Sequence, residues 1–292
     1  MVDVCEALDQ LTNECRQHLA DLPQLQSCLA GLERSIGRME DRASIPRYTI
    51  KTVHAQTSLR AIVEGLTTAF EAIAARRYSA AEALCRVVFE QTVNLMFVLH
   101  DNDASRAKSL LAFHLEDARR RATQWHRAAE RANNSSAQNA ARMKLEHIER
   151  LKTSAETLSS ASLRPWPNAR DRFSSLGLEL HYYELFASAS DSIHSLSEDF
   201  FSAVMIECGP DILRRERRIA SDFERGSFSI YLGAQGLQLF ANAFLHLSFE
   251  LKDPASQEQA QTALEMVQEI VSKHESDHAG HWNQLRSPPE DS

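Results

Sequence analysis

Apolar residues recur along this chain at spacings of three and four and almost nowhere at spacings of two. That is the period of a helix, and no run of alternating β-branched residues predicts a strand. Leu8, Leu11, Cys15, Leu19 and Leu22 form one such series, and Leu25, Cys28, Leu29, Leu32, Ile36 and Met39 a second, with a break near Leu22-Pro23. Pro46 opens a third helix, which runs to about Arg76 on Val53, Leu59, Ile62, Val63, Leu66, Phe70 and Ile73. The stretch Tyr78 to His100, YSAAEALCRVVFEQTVNLMFVLH, is apolar almost all the way round, the mark of a central helix in a bundle. Ser79 and Glu82 have the S-x-x-E spacing of a capping box at its start.

Asp103 is then the expected N-cap of a helix to about Arg131, and after Asn133-Asn134-Ser135-Ser136 a further helix runs to about Leu158. Both are strongly charged with narrow apolar faces, a pattern that predicts a protruding antiparallel hairpin. Pro165-Trp166-Pro167 requires a loop. A short helix from about Asn168 to Leu176 is closed by Gly177, another covers 180–194, and Ser195-x-x-Glu198 marks a new start. A charged helix over about 211–224 is expected to end at Gly226, and the next runs from about Phe228 to Leu251. In that helix Gly233 and Gly236 permit a neighbour to approach closely. Asp253-Pro254 starts a last helix to about His274. The expectation is an all-α bundle of about eight to ten helices. An N-terminal helical segment (1–43) precedes the main bundle (44–275), and a flexible tail (276–292) follows it.

Composition agrees with helix throughout, since only nine Gly and eight Pro occur in 292 residues. A net charge of −8 disfavours nucleic acid and anionic membrane as partners. No stretch reaches 18 apolar residues free of charge. The opening MVDVCEALDQ has acids where a signal peptide needs bases, and the five cysteines are scattered without a C-x-x-C. These features predict a soluble cytoplasmic protein with free thiols.

Two stripes carry the candidate chemistry. Arg86, Glu90 and Asn94 fall at i, i+4 and i+8, one polar line on an otherwise apolar helix. Arg before Glu is the weaker order for an ion pair on an isolated helix, so helix stability is a poor reason for it. Tyr183, Ser190 and His194 stand at offsets 0, 7 and 11, within about 40° on an α-helical wheel. Histidine is the side chain best suited to proton transfer near pH 7.

RVVFE at 86–90 and WPNARDRFSSLGLELHYYELFASASDSIHS at 166–195 resemble the signatures of an uncharacterised, all-helical bacterial family, a domain of unknown function. Its members show R-x-x-x-E on a hydrophobic helix, then a Trp, then Y-x-x-Y-x-x-x-S-x-x-x-H. The resemblance maps these onto Arg86, Glu90, Trp166, Tyr183, Ser190 and His194, with Phe186 in place of the second Tyr. It covers roughly residues 50–205 and implies that the two stripes converge between helices.

The expected protein is therefore an accessory or regulatory one. Its cluster of Arg86, Glu90, Asn94, Trp166, Tyr183, Ser190 and His194 binds a small anionic ligand or fixes the bundle. In the ligand version Arg86 meets the anion, Glu90 orients Arg86, and His194 donates a hydrogen bond. The alternative is a metal-independent ribonuclease, with Arg86, Glu90 and His194 as catalytic residues, His194 as general acid or base and Arg86 on the phosphate charge. The R-x(4–6)-H spacing of helical ribonucleases occurs at His54, His126 and His147, about as often as chance allows in a chain with this many Arg and His. His274, His278 and His281 with Asp277 could chelate a metal, but no metal or cofactor is expected. Amphipathic N-terminal helices and the narrow-faced hairpin make a homo-oligomer the expected assembly.

Overall fold

The computed structural model describes residues 4–41, 49–156, 164–187, 197–209 and 213–286, and every element among them is helical. In chain order these are α1 (Val4–Leu19), α2 (Leu22–Asp41), α3 (Ile50–Ala74), α4 (Tyr78–Leu99), α5 (Ser105–Arg131) and α6 (Ser135–Glu156). Then come α7 (Ala169–Ser175), α8 (Glu179–His181) running into a π-helix (Tyr182–Ala187), α9 (Ser197–Glu207), α10 (Arg214–Glu250) and α11 (Pro254–Arg286). The all-α expectation holds. Among the described residues no helix is long and apolar enough to cross a membrane.

The centre is a packing of α3, α4, α10 and α11, with α1 laid on α10 and α2 on α11 and α3. Phe70, Phe89, Phe240, Phe244, Leu59, Ile62, Leu66 and Leu95 are all less than 2% exposed there. Leu25, Leu29 and Leu32 of α2 belong to the same core, so the N-terminal segment shares the apolar interior of the bundle. Two small residues let the central helices approach. A methyl added at Gly233 would lie 2.8 Å from Cε1 of Phe70, and one at Gly236 3.3 Å from Val88.

Three local expectations are corrected by tertiary contacts. No helix ends at Gly226: α10 runs unbroken for 37 residues, and Gly226 is where Leu19 and the Tyr78 ring press against the helix. The capping box at Ser79 and Glu82 does not form. Arg77 occupies the N-cap without a side-chain bond, while Ser79 accepts from Arg225 at 2.6 Å and buried Glu82 accepts from Ser229 at 3.4 Å. The hydroxyl and carboxylate join α4 to α10 instead of closing a helix end. Finally, α11 continues to Arg286, through residues 276–286 that the sequence assigned to a loose tail.

The charged hairpin forms as expected: α6 packs on α5, and α5 touches α3 and α4. Ala122, Ala129, Ala141 and Ile148 fill its narrow seam. Asn133 takes the left-handed turn between its helices.

Away from the hairpin, α1 is held by a buried polar cluster. His18 lies 2.7 Å from the Ser227 hydroxyl and 2.8 Å from Asp277, and its ring stacks on His274 at 3.7 Å. The Asp277 carboxylate only accepts, so Nε2 of His18 donates to it. Lys273 bonds Asp21 at 3.0 Å, closing the junction of α1, α2 and α11.

Candidate functional site

The polar stripe of α4 faces α7 and the loop before it. Asn168 caps α7, its side chain accepting from the Asp171 amide at 2.9 Å. This sets Arg172 one turn in. Arg172 is 4% exposed and points onto α4, where its Nη2 donates to Glu90 at 3.3 Å. Its Nη1 donates to the Pro167 carbonyl at 2.5 Å. Its guanidinium lies 5.2 Å from the Trp166 ring, which meets Phe97 edge-on.

Arg86 approaches the same carboxylate from within α4, at 4.0 Å, and its guanidinium covers the Phe186 ring at 4.4 Å. Phe186 is placed by the π-helix, which turns it and Leu185 onto Cys85, Phe89 and Val93 beside Phe173. One half-exposed carboxylate is thus shared by two guanidiniums. Among the described residues, the buried Nε of Arg86, Nε of Arg172, Oδ1 of Asn94 and Oε1 of Gln91 have no hydrogen-bond partner.

Two histidines flank the stripe. His54 of α3 is held below the ordinary histidine range by burial and by His114, opposed by a hydrogen bond to the Asn94 backbone. His114 of α5 is lowered too, first by partial burial. Asp117 opposes the shift, Arg121 and Arg172 add to it, and Glu90 opposes it. Both rings are therefore neutral at pH 7. Arg172 is itself lowered by burial, with Glu90 acting against the shift.

The residues anticipated from sequence are distributed as follows. Arg86, Glu90 and Asn94 lie on one line of α4, and Trp166 stands over Arg172. Tyr183 is half-exposed with Arg170 above its ring. It sits in a π-helix, where the α-helical wheel that aligned it with Ser190 and His194 does not apply. Ser190 and His194 lie outside the described residues. Neither Arg172 nor His114 stands on a stripe or in a motif that the sequence singles out, and His54 does so only through the ribonuclease spacing. The readable signal for Arg172 was its place one turn after an Asn cap, beside a Trp.

The model of a family of unknown function, DUF5677, matches residues 56–210. The chain belongs to that family. The matched span holds α4, the hairpin, α7 and the π-helix, and so the whole of the Arg86–Glu90–Arg172 cluster. No curated protein and no solved structure matches the chain. Among the described residues no group of three or more His, Cys, Asp or Glu is placed to hold a metal ion, and the side chains of His278 and His281 lie outside that description.

Proposed function

We propose that this DUF5677 protein is a cytoplasmic accessory or regulatory protein whose Arg86–Glu90–Arg172 cluster binds a small anion. One observation carries the reading: two guanidiniums share a single carboxylate, and each keeps a buried Nε–H without an acceptor among the described residues. A buried donor left unpaired costs about 1–3 kcal/mol. The cluster also holds one positive charge in excess. A carboxylate or phosphate oxygen answers both needs, because guanidinium offers it paired, planar donors. Neutral His114 gives the ligand a further hydrogen-bonding edge, and Trp166 and Phe186 wall the two arginines.

Isothermal titration calorimetry with inorganic phosphate and with acetate tests this. Binding by wild type and its loss in Arg172→Gln and Arg86→Gln are expected. Equal heats from wild type and both variants overturn it. The ribonuclease reading draws on the same groups, with neutral His114 taking a proton beside Arg172, or with His194 and Arg86 in the roles the sequence suggests for them. It requires cleavage of single-stranded RNA in EDTA that is lost in His114→Ala or His194→Ala.

A further inference from the structure

The hairpin and the rest of the chain carry opposite charge. Residues 105–156 hold eleven Lys and Arg against six Asp and Glu, a net of +5 in a chain whose total is −8, which leaves −13 elsewhere. On α5 the basic side chains are ordered. Arg120, Gln124, Arg127 and Arg131 fall at offsets 0, 4, 7 and 11, within about 60° of one another on a helix, and all are exposed. The outer face of α11 has the same spacing in the opposite sign. Glu258, Thr262, Glu265 and Glu269 stand at 0, 4, 7 and 11, all exposed, and residues 254–272 contain no Lys or Arg. Arg120 pairs with Asp117 on its own helix and Glu265 accepts from Gln261, whereas Arg127, Arg131, Glu258 and Glu269 have no ion-pair partner among the described residues, and no ion pair there joins the two stripes within one chain.

We propose that the α5 stripe docks on the α11 stripe of a second copy of this chain, giving a symmetric dimer in which each copy lends its hairpin to the other. Laid parallel, Arg120 meets Glu258, Arg127 meets Glu265 and Arg131 meets Glu269, because equal offsets give equal rises of about 10 Å and 6 Å along both helices. A two-fold axis makes the contact twice, so six pairs act together where one exposed pair contributes little. A second copy fits better than nucleic acid. The net −13 of the rest of the chain repels a polyanion and attracts another hairpin. This interface is independent of the anion site.

Sedimentation equilibrium of the full chain at about 50 mM and about 500 mM salt tests the proposal, since screening shortens the reach of exposed charges. At low salt the expected mass is twice 32.9 kDa, falling toward one chain at high salt. Arg127→Glu/Arg131→Glu and Glu265→Arg/Glu269→Arg should each sediment as one chain with unchanged far-ultraviolet circular dichroism. Mixing the two should restore the two-chain species, because both contacts are then complementary. A one-chain wild type at low salt, variants that still pair, or a mixture that stays separate would each overturn it. So would a one-chain wild type that shifts only when a single-stranded RNA oligonucleotide is added, which points to nucleic acid.

Discussion

Arg172 shows how one side chain can tie an otherwise apolar helix junction together. It spans Glu90, the Pro167 carbonyl and the Trp166 ring from a position that is 4% exposed. Arg172→Ala removes two charge-assisted bonds and the packing of its stem, and we expect a loss of about 1–3 kcal/mol in urea unfolding. Arg172→Lys should recover only part, since an ammonium cannot reproduce the planar fork. Equal stability of all three proteins would refute this. His274 sets a pH dependence. Burial first, then His18 and Lys273, push its pKa down to about 3. The unfolded chain takes a proton near pH 6.5 that the folded chain refuses, so the unfolded state binds more protons between those values. Stability is therefore full above about pH 6.5 and falls as pH drops toward 3, by up to about 1.4 kcal/mol per unit from this group. Chemical denaturation from pH 7 to 4 should show that slope, and His274→Gln should flatten it. An unchanged slope in the variant would remove His274 as its source.

Between helices, close approach decides more than propensity does. An Ala at Gly233 gains up to about 1 kcal/mol in helix propensity but drives a methyl to 2.8 Å from Phe70, itself 1% exposed. A net fall in Tm is expected. Gly37 in α2 is the matched control. A methyl there meets nothing within 4 Å, so Gly37→Ala should raise Tm. If both substitutions move Tm the same way, propensity rather than packing governs these helices. The same rule explains why Ser79 and Glu82 abandon the N-terminus of α4: Arg225 and Ser229 offer them partners across the α4–α10 seam.

The whole molecule divides into a densely packed centre and an arm. Most of α10 between Ile230 and Leu247 is buried against α3, α4 and α11, whereas the far end of the hairpin rests on its own narrow seam. Local opening should follow that difference. In native-state hydrogen exchange the amides around Asn133 are expected to exchange well before those of Phe240 to Phe244, and equal protection would contradict the division.

The sequence alone determined the helical class, the approximate spans of α1 to α7 and the line of Arg86, Glu90 and Asn94, although α3 starts at Ile50 behind Thr49, not at Pro46, and Ala104, not Asp103, is the N-cap of α5. Each of these is a period along one helix and needs no distant partner. It determined the hairpin too, because charged helices with narrow apolar faces can bury little beyond each other. Tertiary structure decided the rest. Arg172 meets Glu90 across 82 residues, and only the packing of α7 and the π-helix on α4 brings them together. Gly226 carries the local signature of a helix end, yet Tyr78 and Leu19 keep it within α10. His274 and Asp277 share one turn of α11, but His18 and Ser227 have no local relation to them and join them only where α1, α10 and α11 meet. Periodicity reports which face of a helix is buried, while the identity of what lies against that face is set by contacts between residues far apart in the chain.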